Sequence, residues 1–90
     1  MYKIRVKQQK NNSKRAKTTI TADTFDTIET AQAFINKCVV DQYRMCMRGW
    51  GLTALDTAQP SETEYTALYQ SASLAFDCTA LRVDFTIIPA

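Results

Sequence analysis

Residues 2–21 read YKIRVKQQKNNSKRAKTTIT, and this stretch decides the architecture. Tyr2, Ile4 and Val6 fall on one side of an extended chain and Lys3, Arg5 and Lys7 on the other, the period-two alternation of a half-buried strand. Asn11, Asn12 and Ser13 tolerate turn geometry, and Thr18, Thr19, Ile20 and Thr21 favour a second strand after them. The chain therefore opens with a β-hairpin that is wet on one face and apolar on the other. A cover for the apolar face has to come from further along the sequence.

The next segment, TFDTIETAQAFINKCVVDQYRMCMRGWG (24–51), supplies it. Asp26 stands three residues ahead of Glu29, the spacing of a capping box, and predicts a helix over 27–47. On a helical wheel Ile28, Ala31, Phe34, Ile35, Cys38, Val39, Gln42, Tyr43, Met45 and Cys46 share one broad face, with Lys37, Asp41, Arg44 and Arg48 opposite. Phe34 and Ile35 are expected in the core with Phe85. Gly49 is a candidate left-handed terminator, and Trp50 is expected to anchor beneath the helix end.

Beyond the helix, WGLTALDTA (50–58) alternates Trp50, Leu52 and Ala54 against Gly51 and Thr53, which predicts a third strand. Residues 61–76 are ambiguous. Pro60 ahead of Ser61-Glu62-Thr63-Glu64 resembles a helix start, and Tyr65, Leu68, Tyr69, Ala72, Ala75 and Phe76 recur at helical spacing. Tyr65, Ala67 and Tyr69 alternate as in a strand, but the helical reading is preferred. Residues 80–89, ALRVDFTIIP, alternate Leu81, Val83, Phe85 and Ile87 against Arg82, Asp84 and Thr86 and form the last strand. The expected fold is a single α+β domain over 1–90. It has an antiparallel sheet of about four strands, packed on one face by one long helix and a second helix (ββαβαβ, or ββαβββ if 61–76 is extended).

Composition narrows the function. Ninety residues with 46% hydrophobic and 22% charged side chains match one small globular domain rather than a disordered chain. The chain contains no histidine, which removes the commonest general base and metal ligand, and its three cysteines lack C-x-x-C spacing. Neither a catalytic centre, a zinc site nor a cofactor is expected. Cys38 and Cys46 would lie about 12 Å apart along a helix, too far for a disulfide, so free thiols in a reducing compartment are expected. Cys38, Met45, Cys46 and Met47 are read as core filling rather than a soft-metal site, and Asp23, Asp26 and Glu29 as acids favoured at a helix start. No apolar run approaches the ~20 residues of a membrane span, and MYKIRVKQQK does not resemble a secretory leader. A cytoplasmic location is expected.

Charge is the feature that stands out. Lys3, Arg5, Lys7, Lys10, Lys14, Arg15 and Lys17 supply seven of the eleven basic residues within the first seventeen positions, with no acid among them. The remainder holds four basic and nine acidic side chains. With the hairpin paired as read, Lys3, Arg5, Lys7 and Lys17 project from the sheet face away from the helices, while Lys10, Lys14 and Arg15 crown the turn. Such a surface suits phosphates or an acidic protein, and it also serves as a solvated strand face that discourages edge pairing. Specific nucleic-acid readout has less support: the outward hairpin positions are Lys, Arg, Gln and Thr, and Tyr2 points the other way. Should the stripe be inert, the acidic half around Asp56, Glu62, Glu64 and Asp77 is the next surface to consider.

A small histidine-free chain in which a β-hairpin leads into FDTIETAQAFI (25–35) resembles, in size, element order and that strand-to-helix junction, small phage-encoded accessory and inhibitor proteins of the anti-CRISPR type. The resemblance carries no individual site residues. It implies a non-enzymatic inhibitor or accessory protein that occupies a working surface of a bacterial defence complex, with a host protein or ribonucleoprotein as partner. The alternative is a nucleic-acid-binding accessory protein that uses the same basic hairpin.

Overall fold

The computed structural model describes residues 1–10, 14–50, 54–70 and 80–90, with the side chains of all of these except 46–50 and 54. Strands β1 (Tyr2–Lys10) and β2 (Lys17–Ile20) form the hairpin, followed by helix α1 (Ile28–Trp50) and strands β3 (Ala54–Ser61), β4 (Glu64–Gln70) and β5 (Ala80–Pro89). The five strands make one antiparallel sheet in the order β2-β1-β5-β4-β3. The last strand thus lies in the middle, between the first and the fourth. That place demands a fully apolar inner face, and Leu81, Val83, Phe85 and Ile87 supply it, each no more than 6% exposed.

Helix α1 crosses the same face over β1, β5 and β4. Ala31, Ile35 and Val39, one turn apart along it, are buried against Ile4, Ala67 and Tyr69, and Ile28, Phe34, Cys38 and Tyr43 flank them partly exposed. The Tyr69 hydroxyl donates a buried hydrogen bond to the Val39 carbonyl at 3.0 Å, tying β4 to the middle of the helix. A helix of 23 residues is about 34 Å long, close to the ~33 Å of the ten-residue β5. None of the helical segments described is long and apolar enough to cross a membrane.

Several local expectations are corrected. The helix cap is Thr27 with Thr30, not Asp26 with Glu29: each threonine Oγ1 accepts the other's backbone N–H at 3.2 Å. The pair is reciprocal, as in a capping box, and stands one residue later than the charge pattern suggests. Gly49 lies inside the helix, which runs on to Trp50. A glycine costs a helix only about 1 kcal/mol, which the helix tolerates here. Of the residues expected in the third strand, Trp50 belongs to the helix, 51–53 lie outside those described, and the strand is described over Ala54–Ser61. Met45 is 71% exposed and leaves the apolar face, and Phe34 is only half buried, resting on Phe25 with ring centroids 5.1 Å apart. The positions expected for the Cys46, Met47 and Trp50 side chains lie outside those described.

The largest correction concerns 61–76. In place of a second helix, 64–70 forms strand β4, and the described residues make one helix and five strands in the order ββαβββ. The alternation Tyr65, Ala67, Tyr69 prevails because β4 lies between β3 and β5 and has backbone partners on both sides. A helix would leave those edges open. The Ser61 and Glu64 pair that mimics a capping box instead closes a tight hairpin around Glu62 and Thr63, where the Thr63 N–H donates to Ser61 Oγ at 3.3 Å. The remainder of the segment expected to be helical, 71–76, lies outside the described residues.

Candidate partner-binding surface

One face of the sheet is filled by α1, and the other has no covering layer among the described residues. Alternation along each strand decides which side chains reach that open face. On β1 the inward set is Tyr2, Ile4 and Val6, so Lys3, Arg5, Lys7 and Gln9 face outward. The register carries this across the sheet, because directly paired residues in an antiparallel ladder share a side. Arg5 stands between Ile20 of β2 and Thr86 of β5, and Thr86 in turn neighbours Glu64 of β4. One row further on are Thr18, Lys7, Asp84, Thr66 and Ala58. Beyond it come Gln9, Arg82, Leu68 and Asp56.

The seven candidate cations therefore do not form one surface. Lys3, Arg5 and Lys7 line the open face at every second position, about 6.8 Å apart. Lys10 has the parity of Ile4 and Val6, and Lys17 pairs with Gln8, which places both on the helix side of the sheet. Lys17 is thus corrected from the outward position expected of it; pairing β2 one residue out of this register would have reversed the result. Lys14 and Arg15 lie exposed in the connection between β1 and β2. The cations divide into a row of three on the sheet and a group of four at one end of it.

Among the described residues, Lys3, Arg5 and Lys7 enter no ion pair, although Asp84 is the cross-strand neighbour of Lys7. Asp84 is engaged elsewhere. It accepts from Arg82 Nε at 3.2 Å and from the Thr66 hydroxyl at 2.9 Å. Two acids missed as part of this face, Glu64 and Asp56, belong to β4 and β3, which carry no basic residue. Reading Glu64 as part of a helix cap hides its place on the sheet. The strand alternation of Tyr65, Ala67 and Tyr69 is the signal that recovers it. The sequence dipole thus becomes a charge gradient across the strands: basic on β1, internally neutralised on β5, and acidic on β4 and β3.

Two other features bear on chemistry. The Cys38 thiol is free, and its pKa is pushed above the ordinary value first by burial and then by Asp41, with Lys37 opposing. It is therefore held in the protonated form, a packing group rather than a nucleophile. A cleft of about 60 Å³ lies between the start of α1 and the β3–β4 hairpin, lined by Gln32, Asn36, Glu62 and Tyr65 among others. The Gln32 side-chain amide spans it to the Glu62 carbonyl at 2.7 Å. This room suits a few water molecules rather than a metabolite.

No protein-family model, curated protein or solved structure matches the chain.

Proposed function

We propose that the protein is a non-enzymatic binding protein that docks the open face of its sheet on an acidic surface of a host protein or ribonucleoprotein. The observation that supports this reading most directly is the row of Lys3, Arg5 and Lys7, three unpaired cations held at fixed spacing on a rigid strand with carboxylates close by. Rigidity matters because a pre-ordered charge row loses little conformational freedom on binding. The resemblance to small phage-encoded inhibitors directs the proposal toward a bacterial defence complex. Nucleic acid is the less favoured partner. Tyr2, Tyr65, Tyr69 and Phe85 all face the helix, leaving no aromatic platform for base stacking on the described open face.

The test compares the wild-type chain with the Lys3→Glu/Arg5→Glu/Lys7→Glu variant in capture from nuclease-treated and untreated bacterial lysate, over a salt series. Loss of a nuclease-resistant partner in the variant, with stability kept within about 0.5 kcal/mol per site, is the expected result. Capture that vanishes on nuclease treatment and falls with log salt at a slope near −2, as neutralisation of about three phosphates on a single strand requires, transfers the site to nucleic acid. Undiminished capture by the variant rejects the surface.

A further inference from the structure

The open face carries both signs of charge, and their arrangement is self-complementary. Arg5 on β1 and Glu64 on β4 flank the same residue, Thr86 on β5. Their backbones are two strand spacings apart, about 9.6 Å, and they form no ion pair with each other. A two-fold axis lying along β5 exchanges the β1 side of one face with the β4 side of another. Such an operation sets Arg5 of each copy over Glu64 of the other, so both pairs form together.

We propose that a second copy of this chain covers the open face, in a two-fold dimer whose axis runs along β5 and whose defining contacts are the two reciprocal Arg5–Glu64 pairs. The alternative axis, across the strands, would put Lys3, Arg5 and Lys7 of one copy over the same row of the other, and like charges exclude it. On the axis, Arg82, Asp84, Thr86 and Ile88 each meet their own counterparts; Arg82 and Asp84 are paired within the chain at 3.2 Å, so each like-charge contact at the centre is offset by an adjoining opposite charge. Two sheets packed face to face stand about 10 Å apart, a gap that an arginine and a glutamate together span.

Area sets the strength. Five strands at about 4.8 Å, each about seven residues long at roughly 3.3 Å, give a face near 550 Å² and a dimer burying on the order of 1,100 Å² in total. That only just clears the size of a specific interface, and the face is polar. The dimer is therefore weak, and sensitive to salt because the screening length falls from about 10 Å at 0.1 M to about 3 Å at 1 M. It also occupies Arg5, so an acidic partner competes with the second copy for the same face.

Sedimentation equilibrium of the purified full chain, from about 1 µM to 1 mM at low salt, is the test. A monomer–dimer equilibrium that shifts to monomer in high salt is expected. Arg5→Glu and Glu64→Arg should each weaken it about tenfold or more, and the two together should restore it, because both pairs then re-form with their signs exchanged. Circular dichroism checks that each variant is folded, and the milder Arg5→Gln and Glu64→Gln should move in the same direction by less. A wild-type chain that stays monomeric, a dimer indifferent to either reversal, or a double variant that fails to recover overturns the proposal. The partner reading is separable, since partner capture requires Lys3 and Lys7 but not Glu64. A monomeric chain that still captures its partner rejects the dimer alone, and a dimer whose β1 reversal leaves capture intact rejects the partner surface alone.

Discussion

Tyr69 joins the sheet to the helix, and replacing it with phenylalanine measures that joint. Its side chain is fully buried, and its hydroxyl donates to the Val39 carbonyl at 3.0 Å. Tyr69→Phe keeps the ring and removes one buried hydrogen bond, a net loss of about 0.5–1.5 kcal/mol. A chain of this length holds about 5–13 kcal/mol in total, so the loss is a sizeable fraction of it. At about 4–8 °C per kcal/mol the melting temperature should fall by several degrees. Tyr65→Phe is the control, because Tyr65 meets the Phe85 ring edge-on at 6.3 Å and shows no hydroxyl bond to the helix. It should stay within about 0.5 kcal/mol of wild type. Tyr69→Ala adds the cavity left by the ring and should cost about 3–5 kcal/mol, which puts the domain close to unfolding. Urea titration followed by circular dichroism reads all three. A Tyr69→Phe variant no less stable than Tyr65→Phe would show that the helix is not fastened to β4 through this bond, and the register between the layers would have to be rebuilt.

Thr27→Ala removes the cap of α1 and should destabilise the protein by about 0.5–2 kcal/mol in the same titration, whereas Asp26→Ala, outside the cap pair, should cost less. Cys38 gives a pH dependence with a definite sign. Its folded pKa is raised, so its contribution to stability is complete below the ordinary thiol range and is lost as pH rises through that range toward the folded value, where only the unfolded chain has released the proton. Alkaline melting curves should therefore flatten in Cys38→Ala. In a Cys46→Ser/Cys78→Ser background, Cys38 should react with a disulfide reagent more slowly at mildly alkaline pH than a free cysteine does, and equal rates would contradict its burial.

Much of the fold is legible in particular residues. The alternation of Ile4 with Lys3 and Arg5, and of Val83 and Phe85 with Asp84, marks β1 and β5 because one buried face forces a period of two. The spacing of Ala31, Ile35 and Val39 marks the buried stripe of α1 for the corresponding reason at 3.6 residues per turn. Residues 61–70 are different. Ser61 and Glu64 carry the chemistry of a helix cap, and Tyr65, Leu68 and Tyr69 fit a helix as well as a strand, so local preference does not choose between them. Phe34 shows the same limit: its wheel position is apolar, yet the helix sits on the sheet through Ala31 and Ile35, and Phe34 rests at the margin on Phe25.

The candidate surface divides along the same line. The residues alone establish that the first seventeen positions are basic and the later chain acidic, and that Lys3, Arg5 and Lys7 share one face of a strand. The folded sheet is what turns Lys17 to the opposite face and lays Glu64 and Asp56 on the same open surface as Arg5. It also placed β5 between the two signs of charge. Alternation is a property of each strand alone, whereas register and strand order are set by backbone partners far apart in the chain. The pairing of β5 with both β1 and β4 brings together residues that no local pattern connects.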